Sequence, residues 1–298
     1  MSLLNEIQID LLNDKVGVGQ ILRKIYYLAS KNNLTNLEEW VRHETFGYPE
    51  NVTVPLYRKA LITYTASFYI GCHHYQNVSI PRYFINEFAG ENCVWYKIRD
   101  GLPVIDRVII NTDGEKGTFR VDSSDLILLL QGKINPDINF YDINNRIDII
   151  TPMIKIQEIV RLKVQDFVLE LENQVPSLVN FSVGTTDTIS EEEGLKGDNI
   201  AHKILFENVT NIHIENQSQV FVNVIKGDKT SLVKALEQLD ISSSKANELI
   251  IFAEQEIAKE GKKSLVTKIP EWLSKNIGDA FSKIIQSKIF DFFSQYIG

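Results

Sequence analysis

Cysteine is scarce in this chain, and long unbroken hydrophobic runs are absent. Only Cys72 and Cys93 occur among 298 residues, too few for a disulfide framework. They fit a reducing compartment, in which unpaired thiols behave as small buried hydrophobes. No window reaches the roughly 18 uninterrupted apolar residues of a membrane-spanning helix. The opening MSLLNEIQID has neither the basic start nor the apolar core of a secretory leader, so a cytoplasmic protein is expected. Positive charge is in deficit: 31 Lys and Arg against 39 Asp and Glu give a formal net charge of −8. That excludes a general electrostatic pull toward nucleic acid or anionic lipid, and it leaves room for a local basic patch.

Catalytic signatures are missing too. Neither GxxxxGK[ST] nor GxGxxG occurs, and Gly17-Val18-Gly19 is an isolated pair. There is no CxxC and no GxSxG. His73 and His74 are the best candidates for acid/base or metal chemistry, but neighbours on a strand point to opposite faces and would not chelate one ion. The other imidazoles, His43, His202 and His213, are scattered. No catalytic residue, metal or cofactor is expected, and the carboxylates read as solvated surface. The segments Lys229–Leu239 and Ser243–Glu260 have helix-turn-helix proportions. Glu248, Glu254, Glu256 and Glu260 would repel phosphates there, so nucleic acid is not an expected partner.

The patterning that is present predicts an α+β fold. Its first part is a mixed helix and antiparallel-sheet domain, followed by a β ribbon and a small helical C-terminal region. Leu4, Ile7 and Leu11, then Val18, Ile21, Leu22, Ile25 and Leu28, recur at helical spacing. Thr35 and Glu38 have the spacing of a capping box ahead of a helix carrying Leu37, Trp40 and Val41, which Gly47 and Pro49 stop. Residues 58–80, rich in Thr, Tyr, Ile and Phe around Gly71, predict a hairpin. Short strands are expected near 93–98, 105–111 and 118–121, a short helix at 126–131 and a long helix over 154–175.

Residues 1–181 make the first expected domain, and the Gly-, Thr- and acid-rich residues 182–203 read as a solvated linker. Residues 204–226 alternate as a ribbon whose apolar face, Ile212, Ile214, Val220, Val222 and Val224, is too small to stand alone. That predicts oligomerisation and a homo-oligomer. Residues 227–298 are helical. On a helical wheel the last helix sets Phe281, Ile285, Ile289, Phe292, Phe293 and Tyr296 against Ser287, Asp291 and Ser294, and Trp272 precedes it. Such an amphipathic helix serves a membrane surface or self-packing; self-packing is the expectation for a resting protein.

The stretches LLNEIQIDLLN, ILRKIYYLA, LEEWVRHETFGYPE, VPLYRKA and IQEIVRLKVQDFVLELENQVP follow one another over about residues 2–180. In this order they resemble the AbiTii domain, a bacterial abortive-infection domain. The resemblance implies antiviral defence and phage resistance, and it brings no catalytic residues. Trp40, Arg42, Glu44, Tyr48, Tyr57 and Arg58 are family-like positions, forming an internal scaffold or a recognition surface. The expected function is a non-enzymatic effector or sensor acting by assembly, by membrane perturbation through the C-terminal helix, or by both, with membrane association on activation. Alternatives are a cryptic nuclease-type toxin and a regulatory module for a neighbouring defence protein. Partners in these readings are further copies of the chain, a phage component, a defence protein or a membrane surface.

Overall fold

The computed structural model describes residues 2–112, 117–184, 189–207 and 224–297. Three helices come first: α1 (Leu3–Leu11), α2 (Val18–Lys31) and α3 (Thr35–Phe46). The Ser2 hydroxyl starts α1 by accepting from the Asn5 amide at 3.3 Å. The apolar stripes expected for α1 and α2 are the buried ones. At α3 the expected capping box does not form. Thr35 is already helical and Leu34 holds the capping position, so the hydroxyl sits one residue too far in.

The sheet strands follow, with helices between them. β1 (Lys59–Ile70) and β2 (His73–Ile80) make the expected antiparallel hairpin, with Gly71 turning at φ 56°. Next come α4 (Arg82–Ala89), β3 (Trp95–Lys97) and α5 (Leu102–Asn111). Residues 105–111, expected as a strand, therefore belong to a helix. Pro103 sits in its first turn, and Leu102 and Ile105 are buried three residues apart, with Val108 half-buried. The β-branched composition of this run favours a strand locally, and packing against α2 and α3 selects the helix instead.

Beyond β4 (Thr118–Phe119) and α6 (Leu126–Leu130) lies β5 (Ile138–Asp148), which has no counterpart in the sequence reading. Its alternation breaks where Ser67 and Phe68 shift register against it, so period-2 counting fails along this strand. α7 (Ile150–Gln174) is the predicted long helix, and α8 (Pro176–Val179) follows it directly.

Residues 182–203, expected as a linker, hold α9 (Glu191–Ala201) with Gly197, Ile200 and Ala201 buried. Asp198 of α9 supplies the cap that α3 lacks in its own sequence. Its Oδ1 accepts from the Asn36 amide at 2.7 Å, and its Oδ2 accepts from Asn36 Nδ2 at 2.8 Å. A Cβ on Gly197 would lie 3.1 Å from Leu34 Cδ2, so this glycine serves close approach. His202–Glu207 form a π-helical turn where the ribbon was expected to begin. Ile212, Ile214, Val220 and Val222 lie outside the described residues, and Val224 is half-buried.

Four helices close the chain: α10 (Lys229–Glu237), α11 (Ser243–Glu260), α12 (Leu265–Asn276) and α13 (Asp279–Ile297). The Asp228 and Ser242 side chains cap α10 and α11 by accepting from the backbone amides of Thr230 and Lys245.

Two compact units interleave along the chain. One comprises Met1–Ala60, Lys97–Thr118 and Asp148–Gln217; the other comprises Leu61–Tyr96, Phe119–Ile147 and Ser218–Gly298. The first is helical, with α7 packed on α1, α5 and α9. The second contains nearly all of the antiparallel sheet, in the order β2-β1-β5-β4 with β3 against β1. One sheet face is buried through Ile62, Tyr64, Ala66, Phe68, Phe140 and Ile143. α13 packs on β2, and Tyr83 of α4 meets Phe292 of α13 at 6.0 Å. The C-terminal helices thus share a unit with the sheet, in an α+β fold.

Candidate functional site

The family-like stretch around α3 builds two surfaces at once, because helical periodicity divides it. Trp40 and Glu44, four residues apart, point inward and are buried; Arg42 and Phe46 point outward and are exposed.

Inward, one carboxylate gathers four hydrogen bonds. Glu44 Oε1 accepts from the Tyr48 hydroxyl at 2.6 Å, the Tyr57 hydroxyl at 2.6 Å and Arg58 Nε at 3.3 Å, while Oε2 accepts from the second Arg58 terminus at 2.5 Å. The remaining Arg58 nitrogen donates to the carbonyls of Asp100 at 2.7 Å and Ile98 at 3.3 Å. Both charged side chains are 0% exposed, so full pairing is what makes burial of the two charges tolerable. The Arg58 guanidinium also lies 4.9 Å over the Tyr48 ring. Burial, reinforced by the Glu44 charge, pushes the Tyr57 and Tyr48 phenols well above their usual range. For Arg58, burial opposes the charge but the Glu44 carboxylate outweighs it and raises the pKa.

A second buried cation, Lys163 of α7, donates to the carbonyls of Ile204 at 2.8 Å and Leu205 at 3.0 Å. Burial lowers its pKa. It ties α7 to the π-helical turn.

Outward, a cleft of about 540 Å³ is lined by Glu38, Arg42, His43, Phe46 and Pro49. Phe46 is 79% exposed. His43 stacks on Tyr48 with ring centroids 5.0 Å apart, so one wall of the cleft rests on the buried network. The cleft offers an aromatic ring, an imidazole and a guanidinium beside the carboxylates of Glu38 and Glu39.

Glu44, Tyr48, Tyr57 and Arg58 thus come together, Trp40 is buried on the same helix, and Arg42 stands apart on the cleft. His43 and Phe46 have no site role in the sequence reading; on the helical wheel Phe46 stands well round from Trp40 and Glu44, with the half-buried His43 at the border between the two faces, and that was the available signal. His73 and His74 are both exposed, and His74 Nε2 hydrogen-bonds the Tyr141 hydroxyl. Among the described residues no group of three His, Cys, Asp or Glu is placed to hold a metal. Cys72 is exposed and Cys93 half-buried, so Cys72 departs from the buried thiol expected.

In the C-terminal helices Ile285, Ile289, Phe292 and Phe293 are buried, and Trp272, Phe281 and Tyr296 are half-buried. Among the described residues no helix is long and apolar enough to cross a membrane.

Comparison with curated proteins and with solved structures returns no match. The AbiTii family model matches residues 2–193, well over half of the chain, and takes in both faces of α3 with all of α7. The chain therefore belongs to the AbiTii family, and that membership points to abortive-infection defence.

Proposed function

We propose that the chain is a non-enzymatic abortive-infection effector in a resting state, with α13 as the acting element. The observation that carries this reading is how α13 is held. Ile284, Ile285, Ile289, Phe292 and Phe293 are buried inside the second unit, while the polar ties lie at its surface. The Tyr75 hydroxyl donates to Asp279 at 3.1 Å, Lys288 pairs with Glu87 at 3.4 Å, and the Tyr296 hydroxyl donates to Glu254 at 2.9 Å. Surface ties of this kind each contribute about 0–1 kcal/mol, so apolar burial does most of the holding. A trigger that lifts the helix would expose a broad apolar face beside Lys283 and Lys288, suited to an anionic membrane surface or to further copies of the chain.

The test is membrane potential and phage yield in infected cells. The wild type is expected to depolarise cells before lysis and lower the yield, and Phe292→Asp with Phe293→Asp to do neither. The double variant Tyr75→Phe, Glu87→Gln, which loosens the ties and spares the apolar face, is expected to raise toxicity without phage. Growth arrest with potential intact would overturn the membrane reading; degraded nucleic acid in those cells would favour the nuclease alternative.

A further inference from the structure

Among the described residues, the sheet of the second unit has one covered face and one open face. On the open face Tyr69 of β1, His74 of β2 and Tyr141 of β5 form a ring cluster. Centroid separations are 4.8 Å for Tyr69–His74, 5.2 Å for Tyr69–Tyr141 and 5.6 Å for His74–Tyr141. The register builds it: Tyr69 stands opposite His74 on one side and Asn139 on the other, one pleat from Tyr141. Cross-strand ring packing stabilises a sheet in its own right, yet Tyr69 remains 43% exposed and Tyr141 45%.

Along the same face the neighbours are short and polar. Thr65 stands opposite Asn144, and Thr63 opposite Arg146; Arg120 Nη1 donates to Asn144 Oδ1 at 3.4 Å. Arg120 and Arg146 are exposed, and neither meets a carboxylate among the described residues. The carboxylates of β5 are already engaged: Asp142 accepts from Asn144 Nδ2 at 2.6 Å, and Asp148 accepts from the Thr151 hydroxyl at 2.9 Å. Those hydrogen bonds come from neutral groups and leave Asp142 and Asp148 charged, so charge on this face is near balance and the two guanidiniums would act on a phosphate by direct contact rather than through a net positive field.

We propose that this face binds single-stranded nucleic acid, with bases stacking on the Tyr69–His74–Tyr141 cluster and phosphates held by Arg120 and Arg146. Exposed rings amid hydroxyls and amides, with guanidiniums on the order of 15 Å further along the strand, match what an unpaired strand presents: base faces, base edges and a charged backbone. A duplex hides its base faces and would lack the stacking component. An aliphatic protein partner would find no large aliphatic side chain among these residues. The proposal is independent of the role given to α13.

The test is fluorescence anisotropy of the full chain with labelled oligo-dT and oligo-U about ten nucleotides long, against a DNA duplex of the same length. Saturable binding is expected for single strands and at least tenfold weaker binding for the duplex. Two phosphate contacts predict a slope of log affinity against log salt of roughly −1.4. Tyr69→Leu with Tyr141→Leu, which keeps apolar bulk without the π faces, should weaken binding roughly tenfold or more, and so should Arg146→Glu, a surface change with little bearing on folding. Preference for oligo-U would assign RNA as the ligand, and equal affinity would assign either strand. No saturation by about 100 μM protein, the weak end of non-specific binding, would overturn the proposal. Equal affinity for the duplex, or unchanged affinity in both variants, would also overturn it.

Discussion

Arg58 and Glu44 are 14 residues apart in sequence and meet at 2.5 Å with neither side chain exposed. The pair joins the last turn of α3 to the residue just before β1, and Tyr48 and Tyr57 close the remaining sites on the carboxylate. Removing one partner would leave an uncompensated buried charge. Arg58→Met and Glu44→Gln are each expected to lower stability by about 3–5 kcal/mol, read as a shift of the urea midpoint. The double variant should lose clearly less than the sum of the two, because the second change removes a charge already orphaned.

The two buried phenols give stability a sign with pH. In the unfolded chain a tyrosine loses its proton near pH 10, whereas Tyr48 and Tyr57 hold theirs well above that in the folded state. The folded form then binds more protons, so their contribution is complete below about pH 10 and is lost as pH rises beyond it. Denaturation curves from neutral pH upward should show this fall, and Tyr48→Phe with Tyr57→Phe should flatten it.

Gly47 and Gly101 mark where the chain after α3 crosses the chain before α5. Gly47 sits at φ 97°, and a Cβ there would lie 2.6 Å from the Arg99 carbonyl oxygen; a Cβ on Gly101 would come still closer to the Thr45 carbonyl. Alanine at either position is expected to lower stability by more than about 1 kcal/mol, seen as a drop in melting temperature. Gly71→Asn is the contrast. Nothing lies within 4 Å of a Cβ at that turn, and asparagine tolerates its left-handed backbone.

Asp198 is the test of α9 as a packed element. Asp198→Ala removes the cap on Asn36 and should cost about 1 kcal/mol, with faster amide exchange in the first turn of α3. In limited proteolysis the wild type should resist cleavage within 191–201, as a solvated linker would not.

The sequence alone determined the helices that carry a clean apolar stripe. α1, α2, α7 and α11 were legible because burial follows their 3.6-residue period, and the β1–β2 hairpin was legible because Gly71 punctuates two β-rich runs. The acidic charge balance and the family-like positions around Trp40 were also visible at that level. Tertiary structure decided what lacks a local signal. α5 is helical in spite of β-branched residues because its seat against α2 and α3 outweighs a propensity difference of about 1 kcal/mol. β5 was hidden because a register shift breaks its alternation. α9 looked like a linker because its glycine and acids act through partners more than 150 residues away, Gly197 against Leu34 and Asp198 against Asn36. The site followed the same rule. Its residue types stood in the sequence, but which of them are buried together as Glu44, Tyr48, Tyr57 and Arg58, and which of them face the cleft, depended on how α3 packs, since the same charged residue costs energy in a core and almost none on a surface.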